Sequence, residues 1–266
     1  MTISQLKDFS KLVSAAAVFG VASLGTIPTA SAAILKIGAG AFNAQAGLIT
    51  FSEKPLGTVN PVYTPGQYGG GASAPTVSFG GIFTGQTVGT APIPPGATPS
   101  GVVNGIPTGP LSLGGPNAFI SSDGSNPTSP VLSGTPLFNG PISILFDTDQ
   151  AGVGLDGGFF DSIGSTAITA FSRNGTLLGS VLNSATGIEF LGLVTSDGSN
   201  QIAGLQFSLV GAESAGFAID NLRFGTSGQV NIPGAAAVPE PFTIIGTLVG
   251  GTAALRMRKK LKSDKA

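Results

Sequence analysis

No histidine, cysteine or tryptophan occurs in the 266 residues, and tyrosine occurs twice. The lack of histidine removes the usual general base near neutral pH, the Ser-His-Asp triad and every histidine-ligated metal site. The lack of cysteine removes disulfides and thiolate chemistry, so the fold must be held by packing or by a metal. With only Tyr63 and Tyr68 beside the phenylalanines, platforms for stacking sugar rings are few. Charge is scarce as well, at 9% of residues. Between the chain ends Lys36 and Lys54 are the only amines, so a Ser-Lys pair has little to draw on. A carboxylate pair is the remaining route to catalysis. Asp147 and Asp149, two positions apart, are the candidates that a glycoside hydrolase would need.

What charge there is lies mostly at the ends. Eight of the twelve basic residues fall in the terminal segments, which leaves four basic and ten acidic residues between them, a net charge of −6. No basic patch is available to neutralise phosphates, so nucleic acid is excluded as a partner.

The N-terminal segment, residues 1–32, has Lys7 and Lys11 ahead of an apolar stretch from Leu12 to Ile27. Ala30, Ser31 and Ala32 then place small residues at the positions a signal peptidase reads. A signal helix cut between Ala32 and Ala33 is expected. The C-terminal segment, residues 233–266, contains Pro239-Glu240-Pro241, an apolar run from Phe242 to Leu255 and a basic cluster that includes Arg256, Arg258, Lys259 and Lys260. As a helix the 14-residue run would span about 21 Å at ~1.5 Å per residue. A bilayer core needs roughly 30 Å, so the expected transmembrane helix 242–255 is short. Basic residues beyond it stay on the cytoplasmic side, which puts the preceding domain across the membrane. The two prolines keep the helix from running back through Glu240 and leave that backbone extended.

This order of Pro-Glu-Pro, short apolar helix and basic terminus resembles the PEP-CTERM sorting signal of exported bacterial proteins. The resemblance implies that an exosortase-type membrane protease or transpeptidase recognises Pro239, Glu240 and Pro241. It implies that Arg256, Arg258, Lys259 and Lys260 act as retention charges during a transient stay in the inner membrane. The destination implied is the cell surface. Low charge and high glycine content suit a matrix protein there, with exopolysaccharide as an expected associate.

The mature region, residues 33–232, is long enough for one domain with a real core. From Gly85 to Pro116 there are seven prolines and eight glycines in 32 residues, so a long surface loop without regular elements is expected there. Strand patterns appear at 48–51, 76–79, 82–84, 118–121, 142–146, 151–155, 167–171, 177–182, 188–194, 202–209 and 217–224. Arg173-Asn174-Gly175-Thr176 predicts a hairpin with a type I′ turn, and Ser196-Asp197-Gly198 a second turn. No segment has a sustained helical period. The expected fold is all-β, a jelly-roll-like β-sandwich with Gly/Pro-rich loops, with a parallel β-helix as the alternative. The strand Gly216 to Phe224, with Ile219-Asp220-Asn221-Leu222, and the opening Gly47 to Glu53 also resemble strands of the domain common in PEP-CTERM proteins.

Three motif matches fail on their own terms. Gly152-Val153-Gly154-Leu155-Asp156-Gly157 fits a dinucleotide fingerprint, but no helix follows it. Asp147-Thr148-Asp149 opens like a calcium loop, but Ala151 and Gly158 stand where ligands are needed. The two Asp-Gly-Ser-Asn segments, at Asp123 and Asp197, read as Asx turns. Glu53 and Asp220 remain as an expected carboxylate pair for a structural Ca²⁺, on the premise that the first and last strands pair. No other cofactor is expected. Three functions follow: a non-catalytic structural or matrix protein, a carbohydrate-binding module, and a carboxylate-dependent glycoside hydrolase.

Overall fold

The computed structural model describes residues 33–90, 92–124, 130–214 and 216–234. The expected signal helix and the sorting segment, with Ala30, Ala32, Pro239, Glu240, Pro241, Arg256, Arg258, Lys259 and Lys260, lie outside them. No helix among the described residues is long and apolar enough to cross a membrane. Those residues form seventeen strands and three short 3-10 turns. The strands are β1 (Ile34–Ile37), β2 (Gly47–Ile49), β3 (Val62–Tyr63), β4 (Val77–Gly80), β5 (Ile82–Phe83), β6 (Thr87–Val88), β7 (Val103–Asn104), β8 (Leu113–Gly114) and β9 (Ala118–Ser121). They continue with β10 (Val131–Gly134), β11 (Ile142–Gln150), β12 (Gly152–Phe160), β13 (Thr166–Phe171), β14 (Leu177–Leu182), β15 (Gly187–Thr195), β16 (Ile202–Leu209) and β17 (Ala218–Gly225).

The fold is all-β, and the ladders between these strands are antiparallel. That removes the parallel β-helix. One sheet runs β1-β15-β12-β17-β10-β9, with β2 added beside β17; the other runs β14-β13-β16-β11-β4-β3. Their apolar faces share one core. Leu132, Leu155, Leu193, Ile219 and Leu222 of the first sheet join Phe79, Ile144, Ile168, Leu205 and Phe207 of the second. Period-two alternation supplies this core directly: Ile142, Ile144 and Phe146 all point inward from β11 and are fully buried.

Outside the Gly/Pro-rich segment, strands sit where the apolar pattern puts them, with three omissions: β1, β3 and β10 are not among the expected strands. Val131 to Gly134 is bracketed by Pro130 and Pro136 and reads as a loop, yet all four residues are buried, paired with β9 and with β17. Two strands also run further than their apolar patterns. β12 continues through glycines that look like a turn. A Cβ on Gly154 would stand 2.5 Å from the Phe190 ring and 2.9 Å from the Gly192 backbone. The glycine is the space into which the ring of the neighbouring strand fits.

The Gly/Pro-rich segment departs from expectation more clearly. It is not a loop without regular elements: β6 pairs β7, and β8 pairs β5. Phe83, Leu111, Phe171 and Ala203 form a second small core on the outer face of the six-stranded sheet. A buried amide pair pins the segment there. Gln86 and Gln206 donate to each other at 3.0 and 2.7 Å, and Gln206 also donates to Ser143 Oγ at 3.0 Å. This covering explains why all eight residues of β16 are buried.

The hairpin between β13 and β14 forms at the Asn-Gly pair, but with a different turn. Gly175 takes φ +84° while Asn174 does not take a positive φ. The Gly175 amide donates to Ser172 O and the Ser172 amide to Thr176 O, both at 2.9 Å, which makes a three-residue loop closed by a left-handed glycine.

Candidate functional site

A cleft of about 610 Å³ with convergent polar groups lies at one end of the two sheets, within the roughly 300–1,000 Å³ of small-molecule sites. Four stretches distant in sequence build it: residues 44–47, the loop 68–75, Thr148 and Gln150 at the end of β11, and Phe224 of β17 with Thr226, Ser227 and Gln229 just beyond it, with Asn200 at the rim. Its apolar floor is a pair of rings. Tyr68 meets Phe224 edge-on, centroids 5.3 Å apart, and Phe224 rests on Phe146 in the core at 5.4 Å. Gly47 makes this stack possible, since a Cβ there would fall 2.3 Å from the Phe224 ring.

The walls are held by their own hydrogen bonds. The Tyr68 hydroxyl donates to Pro75 O, which ties down the glycine-rich rim. Gln229 Oε1 accepts from Thr226 N and Oγ1 at 2.9 Å each, while its Nε2 donates to Gln45 O at 2.7 Å. Asn200 Oδ1 accepts from Ser227 N at 2.8 Å. Gln150 is buried and donates to Thr148 O at 2.7 Å. Carboxamides and hydroxyls therefore line the cleft, and among the described residues no carboxylate, amine or guanidinium does. Tyr68 is its titratable group. Burial first, then the nearby Asp147 carboxylate, push its pKa up to about 12, so the hydroxyl stays neutral.

The expected carboxylates sit elsewhere. Asp147 Oδ1 accepts from Thr76 N at 2.9 Å and Thr148 Oγ1 at 3.2 Å. Asp149 is ion-paired with Arg173, whose Nη1 also donates to Phe146 O at 2.7 Å. Each acid has its own partner. Glu53 Oε1 accepts from Thr50 N at 3.0 Å and Thr50 Oγ1 at 2.9 Å, closing a turn at Phe51, whose φ is +59°. Glu53 thus lies in a turn beyond β2 and not at its end. The premise of the calcium pair does hold in part, because β2 pairs β17 through Leu222 and Ile49. Asp220 faces Asp156 across the β12–β17 ladder, and Asn221 Nδ2 bridges the two carboxylates at 3.3 and 2.9 Å. They border a small hollow of about 120 Å³ together with Asp123; Glu53 does not. Among the described residues no group of three or more acidic side chains has the arrangement to hold a metal ion.

Ala33, the residue after the expected signal-peptidase cut, accepts from Ser196 N at 2.7 Å, one residue before β1 begins. Sequence reasoning singled out Tyr68 only as one of two tyrosines. It missed Gln45, Gln150, Asn200 and Gln229, because isolated amides in four separate stretches carry no local signal. No protein-family model matches the chain, and no curated protein does.

Proposed function

We propose that this chain is an exported, surface-directed, non-catalytic structural protein of the extracellular matrix, processed at a PEP-CTERM-type C-terminal signal. Signal peptidase removes residues 1–32. An exosortase-type membrane protease or transpeptidase then acts near Pro239-Glu240-Pro241 while helix 242–255 and the basic cluster Arg256 to Lys260 hold the chain in the inner membrane. The domain between is a jelly-roll-like β-sandwich, and its destination is the cell surface or the surrounding exopolysaccharide.

One observation carries this reading: the folded unit joins its own two ends between the two processing segments. Phe42 pairs Val230 in an antiparallel bridge. The Asn43 amide donates to Gln229 O at 3.0 Å and the Asn231 amide to Ala41 O at 2.8 Å. A domain clasped in this way needs neither terminal segment for its core. The sandwich part draws on the strand order, in which β11 to β17 switch repeatedly between the two sheets. The non-catalytic part draws on the absence of histidine and on Asp147 and Asp149 each having a separate partner.

Mass spectrometry of the protein from its native host tests the reading. The expected product begins at Ala33 and ends near Glu240. Intact ends at Met1 and Ala266 would overturn it. A second reading, carbohydrate binding, is favoured by the uncharged amide-lined cleft.

A further inference from the structure

We infer that the cleft between Tyr68, Gln150, Asn200 and Gln229 is a binding site for a neutral saccharide. The inference deepens the carbohydrate-binding reading and rests on it, but not on export or processing.

The lining selects the chemistry. An anionic ligand such as a uronic acid or a phosphate is bound most strongly by a cationic partner, and the described lining offers none. A cationic ligand is favoured by a carboxylate, and the described lining offers none of those either. An apolar ligand would strand the amides and hydroxyls unsatisfied, at a cost comparable to lost hydrogen bonds. A saccharide hydroxyl both donates and accepts, which is what a carboxamide beside a hydroxyl can answer on both counts.

The free valences point the same way. The Gln45 carboxamide, Asn200 Nδ2 and Ser227 Oγ have no hydrogen-bond partner among the described residues, whereas the opposite ends of Asn200 and Gln229 are fixed by backbone donors. Gln229 is fixed at both ends, its Nε2 on Gln45 O, so it orients the wall, while Gln45, Asn200 Nδ2 and Ser227 Oγ are left for a ligand. The Tyr68 ring, held by its hydroxyl on Pro75 and by its edge on Phe224, gives the C–H face of a sugar an apolar surface. The backbone of Gly69, Gly70 and Gly71 lets a ligand approach without side chains in the way.

The test is affinity electrophoresis and calorimetry on the full chain, kept soluble in a polyoxyethylene detergent because maltosides would compete. Dextran, galactomannan and a β-glucan are the neutral probes, and alginate is the anionic one. The expected result is saturable binding to at least one neutral polysaccharide. Affinity should change less than twofold between pH 5 and 9 and between 50 and 500 mM NaCl. Ala44→Trp, on an exposed rim position, should weaken it at least tenfold. Gln45→Ala, which removes no internal hydrogen bond of its side chain, should weaken it three- to tenfold without moving the melting temperature. Failure to bind all three neutral polysaccharides, binding to alginate alone, or undiminished binding in Ala44→Trp would each overturn the inference. None of these outcomes bears on the chain ends, so a failed cleft and a failed sorting scheme are told apart.

Discussion

Single residues in this protein act mostly by what they leave room for or close off. Gly154 lies in the middle of β12 and accepts the Phe190 ring of β15. Gly154→Ala must move both the ring and the Gly192 backbone, an overpacking that costs about 1–3 kcal/mol. A drop of roughly 2–4 °C in melting temperature per kcal/mol is expected for a domain of this size, and calorimetry on the variant checks it. Glu189 shows the electrostatic counterpart. Burial raises its pKa, but this is outweighed by hydrogen bonds from the Ser184 hydroxyl and amide, the Ala185 amide and Lys36, so the net shift is downward. A carboxyl whose folded pKa is depressed stabilises the protein above its unfolded value of about 4.3. That contribution is lost as pH falls through the folded pKa. The stability gap between the protein and Glu189→Gln, read by urea denaturation, should therefore be widest near neutral pH and close below pH 4.

At the scale of elements, the decisive feature is how the segment 85–116 is anchored. Its Pro and Gly content keeps each strand to two residues, since proline lacks a donor and glycine a side chain to pack. It nevertheless covers β16, because Leu111 fits over Gly204 and Gln86 meets Gln206 in a buried reciprocal pair. Gln206→Ala would leave the Gln86 amide and the Ser143 hydroxyl short of a partner. A loss of about 1–3 kcal/mol is expected from such orphaned groups. Limited proteolysis should then cut within residues 85–116 before any strand of the main sheets. Equal protection of that segment in the variant would contradict the anchoring.

The whole molecule is held together by apolar contact and backbone ladders, with little help from ions. Among the described residues there are two ion pairs, Lys36–Glu189 and Arg173–Asp149, and each has at least one partly exposed member. Pairs of this kind contribute about 0–1 kcal/mol and are screened by salt. The melting temperature should consequently move by less than 2 °C between 0.05 and 0.5 M NaCl. A fall larger than that would mean that ion pairs carry more of the stability than the structure assigns them.

Short apolar segments bounded by turn residues determined the all-β class and placed β9, β14 and β16 at their observed bounds, because a chain punctuated in this way has room for extended strands and not for a helical period. Composition alone set the absence of thiol and histidine chemistry and the acidity of the region between the ends. Tertiary structure decided the rest. β10 is a strand only because β9 and β17 flank it, and β12 runs through its glycines only because Phe190 and Phe207 fill the space above and below. The cleft exists only where four distant stretches meet. Each of its amides is an ordinary polar residue in the sequence, and the bonds of Gln229 to Thr226 and Gln45 and of Asn200 to Ser227 are what hold them beside one another.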